Sequence, residues 1–208
     1  MTTVSNSGSH CVHFYEPNVF PAEHVARFIQ HGIVQQQSIV VIASERHAAQ
    51  IETEVELLGI SVKDFHSLGR WSLVSTEALE DALLSGVTIE ALLEHVIGPT
   101  FQNALAKTPM AGLRVYGEFV DVLLRLRKPE LCLKLERFGN QLASENRADV
   151  YCAYSADAFL DAGFAKHFTQ VCLLHSLIHT NLKDRNDWRY RLAFGIALRD
   201  AGVRDRKR

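Results

Sequence analysis

Five short apolar segments alternate with amphipathic stretches, and this alternation restricts the fold of the chain more than any other feature of its sequence. The second segment, Ser38 to Ala43, is apolar on both faces, as expected of an interior strand in a parallel sheet. Amphipathic helices from about Ala22 to Gln35 and from about Glu45 to Leu58 flank it. Strands that alternate with helices are typical of α/β proteins. The sequence therefore predicts a mostly parallel sheet with helices on both faces.

The same periodicities predict the remaining elements. The other strands are expected at Cys11 to Tyr15, Trp71 to Ser75, Leu113 to Tyr116 and Val150 to Tyr154. Further helices are expected at 76–84, 88–107, 119–126, 130–145 and 164–179, with a loop at 64–70. The segment 188–198 fits either a helix or an added strand.

The length of 208 residues fits one domain, which we expect at residues 10–180. A flexible N-terminal segment, 1–9, precedes it, and a C-terminal extension, 181–208, follows it with a basic tail. That tail, Arg204 to Arg208, is the one basic cluster of the sequence and is expected to be exposed.

Charge and hydropathy indicate the class of protein. The 22 basic and 24 acidic residues give a net charge of −2, which does not favour a broad nucleic-acid-binding surface. No secretory signal and no apolar run of about 18 residues is evident, so a membrane location is not expected. The four cysteines are widely spaced, which is typical of reduced, buried thiols rather than of disulfides. We expect a cytoplasmic protein.

Two carboxylates follow predicted strands and are the first candidates for a binding site. Glu16 comes directly after the first strand, Glu118 follows Gly117 at the end of the fourth, and Tyr154 ends the fifth. The carboxyl ends of parallel strands share one edge of the sheet, where such folds hold small ligands. We therefore expect Glu16, Glu118 and Tyr154 to lie near that edge.

The loop after the first strand does not favour nucleotide hydrolysis. A phosphate-binding loop needs glycines and a lysine, whereas Glu16 to His24 has neither and contains two prolines. A vestigial nucleotide-binding protein therefore stays only a third alternative.

The two carboxylates can bind a polar ligand, exchange protons as acid and base, or coordinate a metal ion. No activated nucleophile accompanies them, so binding is favoured over catalysis and we do not expect an enzyme. The alternative is a carboxylate-based or metal-dependent enzyme that uses Glu16 or Glu118. The binding interpretation requires no cofactor, the identity of any cofactor stays unknown, and a metal ion is the alternative.

Two groups of cysteine and histidine residues were weighed as metal ligands. Cys11 and His13 alternate onto one face of a strand, and Cys172, His175 and His179 fall on one face of the predicted last helix. Neither group has the paired spacing of a zinc finger, so buried thiols and packing histidines are favoured over a metal site.

A polar pair stands close to the apolar stripe of the helix predicted at 130–145. Glu136 and Asn140 are four residues apart and can either lie at the edge of the stripe or face a pocket.

Taken in order, several motifs resemble one protein family. They are His10 with Phe14-Tyr15-Glu16, Val40 to Ala43 with His47, Gly69-Arg70, Arg114 to Val120, Leu135 to Leu142, Cys152 to Tyr154, and Cys172 to His175. Their succession is similar to that of the MEDS domain, a sensory domain of methanogen and methylotroph regulators, among them a dichloromethane-responsive repressor. The resemblance covers roughly residues 10–179.

The resemblance implies a RecA-like three-layer α/β sandwich without a phosphate-binding loop. It also implies a sensor of small organic molecules that acts in signal transduction or transcription regulation. Such a sensor requires a protein partner, such as a histidine kinase or regulator, or an oligomer of the chain itself. The residues that match the family's recurring polar and thiol positions are predicted to bind the ligand: His10, Tyr15, Glu16, Glu118, Glu136, Asn140, Cys152, Tyr154, Cys172 and His175.

The chain departs from the family pattern at three places, which bear on the identity of the ligand more than on the fold. Ser75 replaces an acidic residue after the third strand, and Arg127-Lys128-Pro129 replaces a glycine between two helices. Phe138-Gly139 stands where a tryptophan is usual before the asparagine segment.

Overall fold

The computed structural model describes residues 8–159 and 165–182, together with Arg189 and Leu192. The strands of this part form one parallel sheet of six strands in the order β3-β2-β4-β5-β1-β6. They are β1 (His10–Tyr15), β2 (Ser38–Ala43), β3 (Trp71–Ser75), β4 (Leu113–Gly117), β5 (Ala148–Ser155) and β6 (Leu177–Thr180).

Nine α-helices connect these strands in the described part of the chain. They are α1 (Ala22–Val34), α2 (Glu45–Leu57), α3 (Val62–Ser67), α4 (Thr76–Leu84), α5 (Ile89–Leu92), α6 (Gly98–Lys107), α7 (Phe119–Arg125), α8 (Pro129–Asn146) and α9 (Ala165–Leu174). A π-helical segment, Leu93–Ile97, joins α5 to α6, and a 3-10 turn, Ala156–Phe159, follows β5.

Strand alternation divides the core into two layers. On β5, Val150, Cys152 and Tyr154 face one side of the sheet, and Tyr151 and Ala153 face the other. Helices α4 to α9 cover the first side and α1 to α3 cover the second. The four interior strands are buried on both faces because helices cover both sides of the sheet, which explains their near-continuous apolar runs. The predicted parallel α/β sandwich of three layers is confirmed.

We call the edge of the sheet formed by the carboxyl ends of the strands the rim. Two helices, α2 and α4, begin there, and each has a serine as its N-cap. Ser44 follows β2, and its hydroxyl accepts a hydrogen bond from the His47 backbone N–H at 3.2 Å. Ser75 ends β3 and accepts one from the backbone N–H of Ala78, also at 3.2 Å. These caps satisfy amide groups that the first helical turn leaves without partners. They fix the side chains of the first turns of α2 and α4 at the rim.

The prediction of a helix at 164–179 was wrong for its last five residues, 175–179. Helix α9 ends at Leu174, and Leu177–Thr180 forms the edge strand β6, which pairs with β1. Backbone pairing with β1 stabilises these residues as a strand, although the helical period continues through them. Cys172, His175 and His179 therefore do not share one helical face.

Two smaller differences concern helices. The predicted loop at 64–70 is largely occupied by α3, which Ser61 caps, and the helix predicted at 88–107 is divided by the π-helical segment.

Residues 1–7 lie outside the described residues, as do most of 183–208, including the segment 188–198 apart from Arg189 and Leu192. None of the helices in the described part has the length and apolar character needed to span a bilayer.

Candidate functional site

The fold separates the ten predicted ligand-binding residues into two groups. Three lie at or beside the rim: Tyr15, Glu16 and Glu118. The other seven lie on the side of the sheet covered by α8 and α9: His10, Glu136, Asn140, Cys152, Tyr154, Cys172 and His175. Tyr154 is near the carboxyl end of β5, but its fully buried side chain contacts α8 rather than the rim.

At the rim, Glu118 connects β4 to the start of α2. Its Oε1 accepts a hydrogen bond from the Ser44 backbone N–H at 2.7 Å, and its Oε2 accepts one from the Tyr116 hydroxyl at 3.0 Å. The Nδ1 of His47 lies 2.8 Å from the same Oε2. The His47 ring stacks on Phe20 with their centroids 3.8 Å apart. Glu118 therefore holds His47 in a fixed orientation.

Glu16 follows β1 at the same edge and is half-buried. Strand β5 lies between β1 and β4, and the register places Glu16 three residues further along the sheet than Glu118, so their backbones are roughly 14 Å apart. The two carboxylates therefore belong to one edge without being direct neighbours in the sheet.

A pocket of about 170 Å³ opens at the rim beside His47, and we call it the rim pocket. Cationic, anionic, aromatic and small polar side chains line it: Tyr15, Asn18, Phe20, Arg46, His47, Arg125, Ser155 and Asp157. Of these residues only Tyr15 was predicted to bind a ligand; His47 was named only within the motifs of the resemblance, and the other six were not singled out. Arg46, His47, Ser155 and Asp157 come at or just after the ends of β2 and β5, so their position relative to the strands could have indicated them.

Ion pairs fix one wall of the rim pocket. Arg125 on α7 donates to Asp121 at 2.7 Å and to Asp157 at 2.9 Å. Burial raises the pKa of Asp121 to about 6, against the opposing effect of the Arg125 guanidinium. The Asp121 Oδ1 accepts from the Ser155 backbone N–H at 3.0 Å, which joins α7 to the end of β5.

The second group surrounds Glu136, which is fully buried on α8. Its Oε2 lies 3.2 Å from His10 Nε2, 3.1 Å from His175 Nε2 and 3.2 Å from Cys152 Sγ. Its Oε1 accepts a hydrogen bond from the Tyr154 hydroxyl. We call His10, Glu136, Cys152 and His175 the donor cluster, because their ligand atoms all lie within 4.8 Å of one another.

The two histidines of the donor cluster are held through their other ring nitrogens. His175 Nδ1 lies 2.7 Å from the Val171 carbonyl, which can only accept, so this nitrogen carries the proton. His10 Nδ1 lies 3.1 Å from Asn140 Oδ1, and the Asn140 amide donates to the Leu174 carbonyl at 2.8 Å. That second bond orients the Asn140 oxygen toward His10.

The pKa values of two groups in the donor cluster, the Glu136 carboxyl and the Cys152 thiol, are shifted in opposite directions. Burial alone would raise the pKa of Glu136, but His175 and His10 outweigh it and hold that pKa well below the ordinary value. Burial, together with the charge of Glu136, raises the pKa of the Cys152 thiol well above its ordinary value. The carboxyl group is therefore ionised and the thiol protonated when only protein groups are present.

A glycine lets α8 approach the first strand beside the donor cluster. A Cβ atom at Gly139 would lie 3.0 Å from both Cε1 and Nε2 of His10. Such contacts would displace the imidazole. The absence of a side chain at Gly139, where the chain departs from the family pattern, therefore leaves space for the His10 ring.

The other cysteine and histidine candidates lie apart from the donor cluster. Cys172 is buried in the same core layer, whereas Cys11 and His13 face α1. His179 on β6 lies beside His13, with ring centroids 6.1 Å apart. Of the five residues weighed as metal ligands from the sequence, only His175 belongs to the donor cluster.

A small apolar cavity of about 40 Å³ lies between the sheet and α6, α7 and α8. Gly139 and Cys152 line it together with side chains such as Phe101, Phe119 and Phe138. It has room for a molecule little larger than water.

His13 is expected to make the protein sensitive to acid. Burial lowers its pKa to about 3, and His24 and His179 contribute in the same direction. Because the folded-state pKa lies below the unfolded value of about 6.5, stability is fully present above pH 6.5 and is lost as pH falls toward 3. Between pH 6.5 and 5 we expect a loss of about 2 kcal/mol in the free energy of unfolding from this residue.

Urea denaturation at several pH values measures this loss. His13→Gln should unfold with a shallower pH dependence than the wild type, whereas His95→Gln, at an exposed position, should not. An unchanged pH dependence in His13→Gln would contradict the assignment.

Comparison of the sequence with known proteins identifies one matching family. The sequence matches the model described as MEDS: MEthanogen/methylotroph, DcmR Sensory domain, over residues 9–175. The matched segment contains both the rim pocket and the donor cluster. No curated protein matches the sequence.

Proposed function

The chain belongs to the MEDS family of sensory domains, and from this we propose that it is a sensor that binds a small organic molecule in the rim pocket. The observation that carries the proposal is a polar pocket of about 170 Å³ at the carboxyl ends of parallel strands. Open α/β sheets hold their ligands at this edge. The apolar cavity of about 40 Å³ offers much less room, and two larger pockets of about 380 Å³ each are not lined by residues at the ends of strands.

The size and lining of the rim pocket favour a class of ligand. Pockets for drug-sized molecules are about 300–1,000 Å³, so a volume of about 170 Å³ suits a molecule of only a few non-hydrogen atoms. Arg46, Arg125 and His47 offer hydrogen-bond donors, and Phe20 and Tyr15 offer apolar ring surface. We propose a short-chain organic compound with an acceptor group, such as a carboxylate or an alcohol.

The contacts around the rim pocket suggest how binding changes the protein. His47 joins α2 to Glu118 at the start of α7, and Arg125 joins α7 to Asp157. A ligand that competes for His47 or Arg125 alters the contacts of α7 with its neighbours. Such a ligand shifts the protein between two states only to the extent that it binds them with different affinity.

The output of the sensor is proposed to be a protein interaction in the cytoplasm. The partner is a histidine kinase, a transcription regulator or a second copy of this chain, and residues 10–180 form the sensory unit. A catalytic role for Glu118 is less favoured, because both of its carboxylate oxygens already have partners at the rim. Membrane and nucleic-acid binding are not part of the proposal.

A thermal-shift screen with short carboxylic acids, alcohols, amines and halocarbons tests the proposal. A ligand at 100 times its dissociation constant should stabilise the fold by about 2.7 kcal/mol. Arg46→Gln removes a charged donor from the wall of the pocket and should weaken binding by about 1.5–3 kcal/mol, roughly 10- to 150-fold. Isothermal titration calorimetry of the compound found in the screen gives both affinities.

Arg27→Gln provides the matched control, since Arg27 is an exposed arginine on α1 away from the pocket. It should bind the compound as the wild type does. If Arg46→Gln, His47→Gln and the wild type all bound with equal affinity, the ligand would bind elsewhere and the rim-pocket proposal would fail.

A further inference from the structure

We propose that the donor cluster is a closed binding site for one transition-metal ion, with zinc as the best match. Four ligand atoms converge from separate parts of the fold: His10 Nε2 from β1, Cys152 Sγ from β5, Glu136 Oε2 from α8 and His175 Nε2 from the residue after α9. This site is distinct from the rim pocket, so the proposal goes beyond the sensory function.

The spacing of the donor atoms suits a tetrahedral ion. Ligands about 2.0–2.3 Å from a zinc ion are roughly 3.3–3.7 Å apart at tetrahedral angles. The observed separations are 3.2 Å from His10 to Glu136, 3.1 Å from His175 to Glu136, and 3.3 Å from His10 to Cys152. All four ligand atoms lie within 4.8 Å of one another, so the most widely separated pair would have to close by up to about 1 Å to complete the coordination.

The tautomers of the histidines direct lone pairs to the centre of the cluster. His175 Nδ1 donates to the Val171 carbonyl, and His10 Nδ1 donates to Asn140, so in the neutral imidazoles the lone pairs are on the two Nε2 atoms. His175 Nε2 is buried and has no hydrogen-bond partner among the described residues, although Glu136 Oε2 lies 3.1 Å away. A cation that replaces the protons of the cluster would bind both imidazole nitrogens, the carboxylate and the thiolate at once.

A supporting layer typical of metal sites surrounds the cluster. Metal-ligating histidines generally donate their other N–H to a carbonyl, an amide or a carboxylate, as both histidines do here. Tyr154 donates to the second oxygen of Glu136, and Cys132 Sγ lies 3.2 Å from the Tyr154 hydroxyl. These contacts leave Glu136 Oε2 as the oxygen available to an ion.

The charges balance when a divalent ion binds. Two neutral imidazoles, one carboxylate and one thiolate neutralise a charge of +2, and the thiol proton of Cys152 leaves to solvent. Two nitrogens, one oxygen and one sulfur form a borderline-soft set that suits zinc or cobalt better than magnesium or calcium. Because the protein supplies all four ligands, the site resembles structural rather than catalytic zinc centres.

Metal uptake by the purified full chain tests the proposal. After chelation and reduction, one equivalent of Co²⁺ should produce a thiolate-to-cobalt charge-transfer band and tetrahedral d–d absorption, and Zn²⁺ should displace both. Cys152→Ser should abolish the charge-transfer band and weaken metal binding at least about 100-fold. Cys132→Ser is the matched control, because its thiol is buried next to the cluster but supplies no ligand.

A milder variant keeps the test decisive if Cys152→Ser fails to fold. Asn140→Ala removes only the acceptor for His10 Nδ1 and should weaken Co²⁺ binding about 10- to 100-fold with the charge-transfer band retained. A wild-type protein that takes up no stoichiometric Co²⁺ or Zn²⁺ would overturn the proposal. So would a charge-transfer band that persists in folded Cys152→Ser.

Discussion

Glu136→Ala is expected to lower the free energy of unfolding by about 3–5 kcal/mol. The carboxylate is fully buried and contacts His10, His175, Cys152 and Tyr154. Its removal leaves these polar groups without their shared partner inside the core, and a buried donor or acceptor without a partner is costly.

Urea denaturation with a chelator present measures the effect of the protein contacts alone. Glu136→Gln keeps the size of the side chain and an acceptor for Tyr154, so it should be less destabilising than Glu136→Ala. Glu145→Ala on the exposed face of the same helix should change stability by no more than about 0.5 kcal/mol. Equal denaturation midpoints for Glu136→Ala and the wild type would show that the cluster contributes nothing to stability.

Phe14→Ala is expected to have a similarly large effect, about 3–5 kcal/mol. Phe14 is fully buried on β1, and its ring lies 4.5 Å from that of Phe168 and 5.7 Å from that of Tyr154, centroid to centroid. Truncation opens a cavity between the sheet and α9 and removes the ring against which Tyr154 packs. Phe14→Leu fills most of the space and should be considerably less damaging.

Val34→Ala provides the control for Phe14→Ala, since Val34 ends α1 with 77% of its surface exposed. It should unfold within about 0.5 kcal/mol of the wild type. If Phe14→Ala were as mild as Val34→Ala, the aromatic contacts of β1 would not be part of the stabilising core.

The sheet was largely predictable because five of its six strands are recognisable as short, local, mostly apolar segments. Ser38–Ala43 and Trp71–Ser75 have the bounds that the pattern indicated, and the strand ends correctly placed Glu118 at the rim. The edge strand Leu177–Thr180 was not predictable in this way. It is only four residues long, and its conformation depends on pairing with a strand far away in the sequence.

The convergence of the donor cluster could not be predicted from local sequence patterns, for a different reason. Its members were named from their resemblance to a family, but their convergence depends on β1 pairing with β5 and on the rotation of α8. The stripe of Leu131, Leu135 and Phe138 suggested that Glu136 lies at its edge. In the fold these three are only partly buried, and Glu136 faces the sheet.

The strand order has a consequence for how the protein is made. Strand β1 lies between β5 and β6, so it has no sheet neighbour until the ribosome has released the segment that begins at Ala148. At about 5–20 residues per second, β1 waits on the order of ten seconds after its own synthesis. During translation β2, β3 and β4 can associate first, since β2 pairs with both β3 and β4. The nascent chain then carries an unpaired apolar strand for most of its elongation. We expect chaperones to bind β1 mainly during this interval.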